Sequence, residues 1–489
     1  MDHSHAPVLD ALAAYHDTGQ TPFTPPGHKQ GRGADPRVRA VLGDAVFRSD
    51  VLAISGLDDR ASTHGVLERA QELMADAVGA DRTFFSTCGS SLSVKSAILS
   101  VAGPLEKLLV GRDAHKSVVS GLVLAGIRPI WVEPRWDAMR RLAHPPGPES
   151  FEAAFAEHPD ARGALVTSPT PYGTCADLTA IARVCHARGK PLVVDEAWGA
   201  HLPFHPALPT WAMDAGADVC VTSVHKMGSG LEQGSVFHLQ GDLVDPKVLR
   251  SREDLLGTTS PSVLVYAALD GWRRQMTEHG RALYDAALEL AGTVRERIDS
   301  IEGMTVHGPE DFCGPGLAAG LDPLQIVIDV AALKTTGYRI ADRVRADHRV
   351  NLHLSDHRRI NAQLTHADDE NTARILLTAL RDVAARAPEW RPAAPPVAVP
   401  DPPRLRLEQV LLPRDAYFGP TEQVEWDEAV GRVSAEMLTP YPPGIPAALP
   451  GERLNADVID YLRTGVAAGM VVPDAADPAL RGVRVARED

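Results

Sequence analysis

The chain has 489 residues, 44% of them hydrophobic, so it can bury a large core and form two or three domains. Its 49 lysines and arginines against 64 aspartates and glutamates give a net charge of −15, which disfavours nucleic acid as a partner. The 5 cysteines form no CxxC pair, and we find no secretory leader or long apolar run; this predicts a cytoplasmic protein without a disulfide framework, a metal site or a membrane span.

In chain order, β-rich runs alternate with helical patterns between residues 65 and 240. This alternation predicts an α/β fold whose mainly parallel sheet is covered by helices on both faces. The predicted strands are residues 83–86, 108–110, 129–132, 164–167 and 192–194. One helix is marked clearly, since Asp177 is a good N-cap, apolar residues recur at helical spacing after it, and Gly189 is a typical stop.

A helical pattern over residues 263–300 leads out of this sheet, and a smaller unit follows with strands predicted near 325–330 and 350–354. Residues 387–404 are dense in proline, which disfavours a packed helix or central strand and predicts a stiff linker. The predicted divisions are an N-terminal segment (1–60), a large domain (61–275), a small domain (276–386), the linker (387–404) and a C-terminal domain (405–489).

The stretch VTSVHKMGSG places Lys226 between an apolar run and a glycine-rich turn. A lone lysine is most often a solvated surface charge. Here Asp195 ends a predicted strand about one strand–helix repeat earlier, so both side chains should reach neighbouring strand ends, where open α/β sheets bind ligands. His115 follows another strand, where its ring could stack on a flat ligand.

The stretch STCGSSLS, residues 86–93, follows a predicted strand and opens a helix. Gly89 permits a tight turn, and Ser90 and Ser91 add hydroxyls to the free N–H groups of the helix N-terminus, an arrangement that favours an anion. Ser223 and His225 could each bond a phosphate. Singly, these features fit caps, turns or surface residues; together with the carboxylate, ring and amine they predict a pyridoxal phosphate (PLP) site with Lys226 as the aldehyde-binding nucleophile.

Several motifs resemble the bacterial ornithine/lysine/arginine decarboxylases, a family of fold-type-I PLP enzymes related to aspartate aminotransferase. They are FTPPGHKQG (23–31), GLDDRASTHGVLERAQELMADAVGADRTFF (56–85), GRDAHKSVVSGLVLAG (111–126), SVHKMGSGLEQGS (223–235), TTSPS (258–262) and AVGRVSAEMLTPYPPGIPAALPGE (429–452). The last is the most discriminating, because general aminotransferases lack it. The sequence departs from the family's phosphate loop at Cys88, Ser91 and Lys95.

The resemblance implies the fold-type-I transferase fold, with a mainly parallel, seven-stranded-type sheet and smaller α+β domains. It implies that Lys226 bonds the cofactor aldehyde, that Asp195 pairs with the pyridine nitrogen and that His115 stacks on the ring. Ala197 would pack on the other ring face, and Trp198 would lie near the ring hydroxyl. The implied phosphate ligands are Ser90, Ser91, Ser223, His225 and, for the partner subunit's phosphate, Thr258. Glu452 would contact the distal cation of the substrate.

The implied reaction is PLP-dependent decarboxylation of lysine, ornithine or arginine to a diamine or agmatine plus CO2, a reaction of polyamine biosynthesis. The implied assembly is a homodimer or a dimer of dimers with shared active sites. Because the family's N-terminal receiver-like domain has no counterpart in this sequence, we do not expect decamers. The alternatives are an aminotransferase or oxidative enzyme that uses the same cofactor on a basic amino acid, and a non-catalytic relative that binds a decarboxylase.

Overall fold

A computed structural model describes residues 1–52, 65–390, 395–441, 443–477 and 480–487. The chain forms two compact units. The first consists of Met1–Ser100 and Pro191–Ala282, and the second of Val101–Lys190 and Leu283–Asp489. The predicted division between residues 60 and 61 lies outside the described residues, as do residues 56–64 of the second family motif. The other predicted domain bounds stay predictions.

The sheet strands of the first unit lie in the order Arg82–Ser86, Ser235–Leu239, Val219–Ser223, Leu192–Asp195. Ser235–Leu239 runs antiparallel to both of its neighbours, whereas the last two strands are parallel, with Asp195 opposite Val221. These two strands are buried along their whole length, as is usual for strands covered on both faces. Because parallel strands end at the same edge, the residues that follow them meet there.

In the second unit, the parallel strands lie in the order Ala164–Thr167, Lys107–Gly111, Arg128–Val132. A separate antiparallel sheet has the order Thr305–Val306, Gln325–Asp329, Arg359–Gln363, Leu354–Ser355. Short antiparallel pairs join Arg135–Asp137 to Leu142–His144, Thr174–Cys175 to Gly320–Leu321, Glu408–Gln409 to Glu452–Arg453, and Thr421–Glu425 to Gly482–Ala486. The C-terminal part has its own apolar core, which includes Leu438, Val458, Leu462 and Val483.

The helices of the first unit are Pro7–Asp17, Pro36–Leu42, Asp44–Ser49, Val66–Val78, Gly89–Val101, Val224–Met227 and Pro246–Leu256. Those of the second are Lys116–Ala125, Pro148–Glu157, Leu178–His186, Pro309–Phe312, Gly337–His348, Glu370–Arg386, Pro402–Leu405, Pro413–Phe418 and Ala456–Ala467. The helix Val263–Asp299 has 37 residues and belongs to the first unit up to Ala282 and to the second from Leu283. Within the described ranges, we find no helix with the length and apolarity to cross a membrane.

The structure confirms most of the predicted elements. Leu192–Asp195 and Val263–Asp299 lie where their patterns predict them. Asp177 caps the helix Leu178–His186 by accepting a hydrogen bond from Ala180 N at 3.0 Å, and Gly189 has a φ of 62°. The expectation of a mainly parallel sheet is confirmed, and the sequence analysis missed the antiparallel strand Ser235–Leu239 of the first unit.

The strand predicted at residues 350–354 is wrong, because only Leu354 of that range lies in a strand. The longer strand is Arg359–Gln363, which the sequence analysis missed. The buried residues of this strand include the polar side chains of Arg359 and Asn361, so its sequence lacks the apolar pattern of a buried strand. Asn361 donates to Pro171 O and Gln325 Oε1 at 3.2 and 2.9 Å, so burial is satisfied by specific partners rather than by an apolar pattern.

A buried ion pair fastens the N-terminal segment to the first unit. Arg273 and Asp270 are both 0% exposed and lie 2.8 Å apart. Arg273 also donates to the backbone oxygens of His3 and His5, and Asp270 accepts from Val8 N at 2.8 Å. The buried guanidinium and carboxylate thereby pair with each other and with three backbone groups of the N-terminal segment.

We predict that Arg273→Ala lowers the free energy of unfolding by about 3–5 kcal/mol, because Asp270 then remains buried without its cation. Urea titration followed by circular dichroism measures the loss. Arg274→Ala is the matched control: Arg274 is 44% exposed and pairs with Glu278 at 3.3 Å, so its removal should lower stability by less than about 1 kcal/mol. Equal losses in the two variants would contradict the prediction.

Candidate active site

Lys226 lies in the short helix Val224–Met227, directly after the buried strand Val219–Ser223. Its Nζ is 3.8 Å from the centroid of the Trp198 ring. Burial lowers the pKa of this amine to about 8, and the negative charge of Asp195 partly opposes the shift. On the order of one tenth of Lys226 is therefore neutral and nucleophilic at pH 7.

The glycine-rich turn after Lys226 allows the backbone to approach a neighbouring ring closely. A Cβ atom at Gly228 would lie 2.7 Å from the Trp272 ring and 2.8 Å from Val224 O. Only a residue without a side chain fits there. The small residues of the VTSVHKMGSG motif thus hold the helix that carries Lys226 against the first unit.

Asp195 ends the strand Leu192–Asp195 and is 3% exposed. Ala197 N donates to its Oδ1 at 3.3 Å. Burial raises the pKa of the carboxyl, whereas the positive charge of Lys226 and the bond from Ala197 lower it. As the sequence predicted, Asp195 and Lys226 lie at neighbouring strand ends, and the Trp198 ring lies beside the amine. The carboxylate and the amine interact electrostatically in a dry environment.

The sequence analysis missed a second buried acid, Glu196, which is 0% exposed. Its Oε2 accepts from Cys220 Sγ at 3.1 Å and from Ala212 N at 3.4 Å. Burial raises the pKa of Glu196 well above its usual value, and the bonds from Cys220 and Ala212 partly oppose the shift. Two acidic residues in succession after an apolar strand were the available signal.

The predicted phosphate ligands of the first unit lie around adjoining turns. Gly89, at the start of the helix Gly89–Val101, has a φ of 76°, and its N donates to Gln233 O at 2.9 Å. His225 N donates to Gly234 O at 3.4 Å. These bonds bring the turn that carries Ser90 and Ser91 to the same segment, 233–234, that His225 contacts. The sequence analysis assigned no role to this segment.

Ser223 supplies a polar group that needs a partner. It is 0% exposed, and within the described residues its Oγ has no hydrogen-bond partner. A buried hydroxyl of this kind loses the free energy of a hydrogen bond unless something supplies one. Ser223 therefore fits the predicted role of a ligand for an anionic group.

His115 belongs to the second unit, where it caps the helix Lys116–Ala125. Its Nδ1 accepts from Ser117 N at 3.2 Å, which leaves the ring proton on Nε2. A turn of the C-terminal segment packs on the ring: Gly444 has a φ of 89°, and a Cβ there would lie 2.9 Å from the imidazole. The orientation of this ring is thus fixed from two sides.

Glu452, also in the second unit, is 1% exposed. Its two carboxylate oxygens accept from Arg112 Nε and Nη2 at 3.2 and 3.0 Å, and Leu449 N donates to Oε2 at 2.9 Å. This bidentate pair favours a structural role for Glu452. The predicted contact between Glu452 and a substrate gains no support from these bonds and stays a prediction.

Thr258 is exposed, and its Oγ1 accepts from Ser260 N at 3.1 Å. The loop that contains Thr258 precedes the helix Val263–Asp299, and Pro261 lies two residues before the first helical position.

Ala197, predicted to pack on a ring face, is 7% exposed.

Comparison with known proteins assigns the chain to a family. Residues 6–313 match the major domain of the Orn/Lys/Arg decarboxylases, and residues 404–488 match the C-terminal domain of the same family. An arginine decarboxylase of Halalkalibacterium halodurans is 38% identical over 99% of this chain and 98% of its own length. An arginine decarboxylase of Bacillus subtilis is 36% identical over 100% of this chain and 99% of its own length.

Among solved structures, the lysine decarboxylase LdcF of Francisella novicida superposes with a TM-score of 0.82 at 20% identity, covering 99% of this chain and 81% of that one. The fold is accordingly that of the fold-type-I PLP enzymes, with a mixed, mostly parallel central sheet and flanking helices. The chain belongs to the Orn/Lys/Arg decarboxylase family.

We predict that Lys226 of the cofactor-free protein reacts with trace acetic anhydride with a midpoint near pH 8, the pKa that burial gives this amine. Asp195→Asn should move the midpoint to lower pH, because the carboxylate that stabilises the ammonium form is gone. Peptide mass spectrometry measures the labelling, with the exposed Lys247 as the internal control. The same midpoint in both proteins would show that Asp195 does not act on Lys226.

Proposed function

We propose that this protein is a PLP-dependent arginine decarboxylase that converts arginine to agmatine and CO2. The observation that carries the proposal is its identity of 36–38% with arginine decarboxylases over almost the whole chain. The intact pair of Asp195 and Lys226 in the first unit supports an active enzyme rather than a non-catalytic relative.

The residues of the first unit fit PLP. Lys226 would bond its aldehyde, and the buried Asp195 would face its ring nitrogen. Ser223, whose hydroxyl has no partner within the described residues, would hold its phosphate together with Ser90, Ser91 and His225. His115, which lies in the second unit, stays the predicted stacking residue. Bound in this way, PLP supplies an electron sink for the bond that breaks at the substrate's Cα.

Asp195 is suited to hold a proton on a heterocyclic nitrogen. Its carboxylate is removed from water, so its attraction to a cationic N–H is screened far less than it would be in solution. A preorganised partner of this kind typically contributes about 3 kcal/mol to transition-state stabilisation. Ala197 N fixes the position of the carboxylate through its bond to Oδ1.

The pKa of Lys226 allows it to act both as a nucleophile and as an acid. As a neutral amine it binds the aldehyde, and as an ammonium ion it can return a proton to the substrate's Cα after CO2 has left. A group whose pKa is about 8 populates both states near neutral pH, the condition for efficient proton transfer. The Trp198 ring beside Nζ stabilises the ammonium state by a cation–π contact.

The experiment that tests this function is product analysis with arginine, lysine and ornithine as separate substrates. We expect agmatine and CO2 in equal amounts from arginine, with kcat/KM at least about 10-fold lower for the other two, because a site built for a guanidinium leaves its polar groups unpaired with a shorter amine. A 2-oxo acid as the main product would instead indicate transamination. A diamine formed at the higher rate would indicate lysine or ornithine as the substrate.

We also propose a homodimer in which each chain completes the other's active site through Thr258. This threonine is exposed, and its hydroxyl accepts a local hydrogen bond from Ser260 N, which supports the proposal. A side chain that serves a partner must be accessible in the isolated chain.

Mixing Lys226→Ala with Thr258→Ala under subunit exchange tests the shared site. Each heterodimer then has one site with both substitutions and one intact site. Random exchange of equal amounts makes half of the dimers mixed, so we expect about one quarter of wild-type activity. If each chain keeps its own site, activity will equal the mean of the two parents. Size-exclusion chromatography of both variants serves as the control for assembly.

A further inference from the structure

The second unit contains a cavity of about 550 Å³ to which the proposed function assigns no role. Its walls come from the loop after the strand Lys107–Gly111, from residues near 356 and from residues 440, 443 and 445–447. The lining includes four aromatic rings, namely Trp136, Tyr172, Tyr338 and Tyr461. Such rings accommodate an aliphatic chain and attract a cation to their faces.

Asp113 lines this cavity and is only 6% exposed. Neither of its carboxylate oxygens has a hydrogen-bond partner in another residue of the part of the chain that the structure describes. Burial raises its pKa to about 7, a shift that its own backbone N–H and the charge of Arg112 only partly oppose. An ionised carboxylate held in this way is stabilised strongly by any cation that reaches it.

The cations near Asp113 are engaged elsewhere or lie in solvent. Arg112 bonds both oxygens of Glu452 and the backbone oxygens of Pro446 and Ala447. Arg406 lies 3.6 Å from Glu133, and Arg141 is exposed. Burial lowers the pKa of His357, and the charge of Asp356 partly opposes the shift.

A second acid of the cavity, Asp356, is partly buried and already has hydrogen-bond partners. Asp356 accepts from the Tyr172 hydroxyl at 2.8 Å and from the backbone N–H groups of Arg358 and Arg359. Among the acids of this cavity, Asp113 is the one whose carboxylate oxygens have no partner in the described part of the chain; Nε2 of His357 also has none there.

We propose that this cavity binds an alkylguanidinium ion whose planar head pairs with Asp113. Two free oxygens of one carboxylate match the paired N–H groups of a guanidinium, whereas an ammonium ion makes no such two-pronged contact. The choice of a guanidinium rests on the proposed function. The ion is either the side chain of the arginine undergoing reaction or a second, free alkylguanidinium.

The test uses the holoenzyme and propylguanidine, which has no α-amino group and cannot condense with the cofactor. Calorimetric titration measures its Kd in the wild type, in Asp113→Asn and in Asp160→Asn, a control at a carboxylate whose side chain is 63% exposed. We expect Kd to rise at least about 10-fold in Asp113→Asn and to be unchanged in Asp160→Asn. Propylurea, a neutral compound of the same shape, should not bind. Equal Kd values in the wild type and Asp113→Asn, or equal binding of propylurea, would overturn the proposal.

Inhibition kinetics with propylguanidine separate the two sources of the ion. Competition with arginine, with KM raised and kcat unchanged, identifies the substrate's side chain as the occupant, and a fall in kcat identifies a second molecule. If the wild type releases no CO2 from arginine but still binds propylguanidine through Asp113, the proposed function fails and the binding site stands. If arginine is decarboxylated but Asp113→Asn binds propylguanidine normally, only the site fails.

The thermal midpoint shows whether the variant folds. It should not fall in Asp113→Asn, because the amide keeps the shape and removes a buried charge that lacks a partner. Asp113→Ser gives a second measurement of Kd should the amide lower that midpoint, and a Kd equal to wild type in it would likewise overturn the proposal.

Discussion

The electrostatic pairing of Asp195 with Lys226 is the constraint on which the rest of the first unit depends. Removing both groups from water strengthens their attraction and at the same time penalises each charge, so the pair is favourable only if the backbone holds them in place. Two parallel strands buried on both faces provide that support, since Asp195 ends one and Lys226 follows the other by three residues. A more flexible backbone would let water reach Asp195 and Lys226 and would return their pKa values toward the ordinary ones.

Adjacent acids in this unit have different surroundings. Asp195 interacts with the cation of Lys226, whereas Glu196 accepts from the Cys220 thiol and the Ala212 amide. Burial raises the pKa of both carboxyls, and the positive charge of Lys226 opposes that shift at Asp195. Distinct surroundings are how enzymes assign separate roles to identical chemical groups.

The sequence was sufficient to predict elements that local patterns determine. It was insufficient to predict elements and pairs whose interaction partners are distant in the chain. The strand that ends at Asp195 and the helix Val263–Asp299 follow from periodicity, because their burial rests on apolar side chains. The strand Arg359–Gln363 does not follow from periodicity. Its buried Arg359 donates to Arg140 O and Arg141 O, which are 219 and 218 positions away in the chain. The ion pair of Glu452 with Arg112 and the solitary state of Asp113 are likewise products of the fold, since composition and spacing say nothing about which charges meet.

The bond between Val8 and Asp270 joins residues 262 positions apart, and this has a consequence for biosynthesis. The first unit combines residues up to Ser100 with residues from Pro191 to Ala282, so its interior cannot close until the ribosome has made well over half of the chain. At elongation rates of about 5–20 residues per second, roughly 15–60 s pass between the synthesis of the N-terminal helix and the synthesis of its partner Asp270. During that interval the early helices and the strand Arg82–Ser86 are exposed on the nascent chain. Slow translation before Ala282 would lengthen the exposure and increase the demand for chaperones.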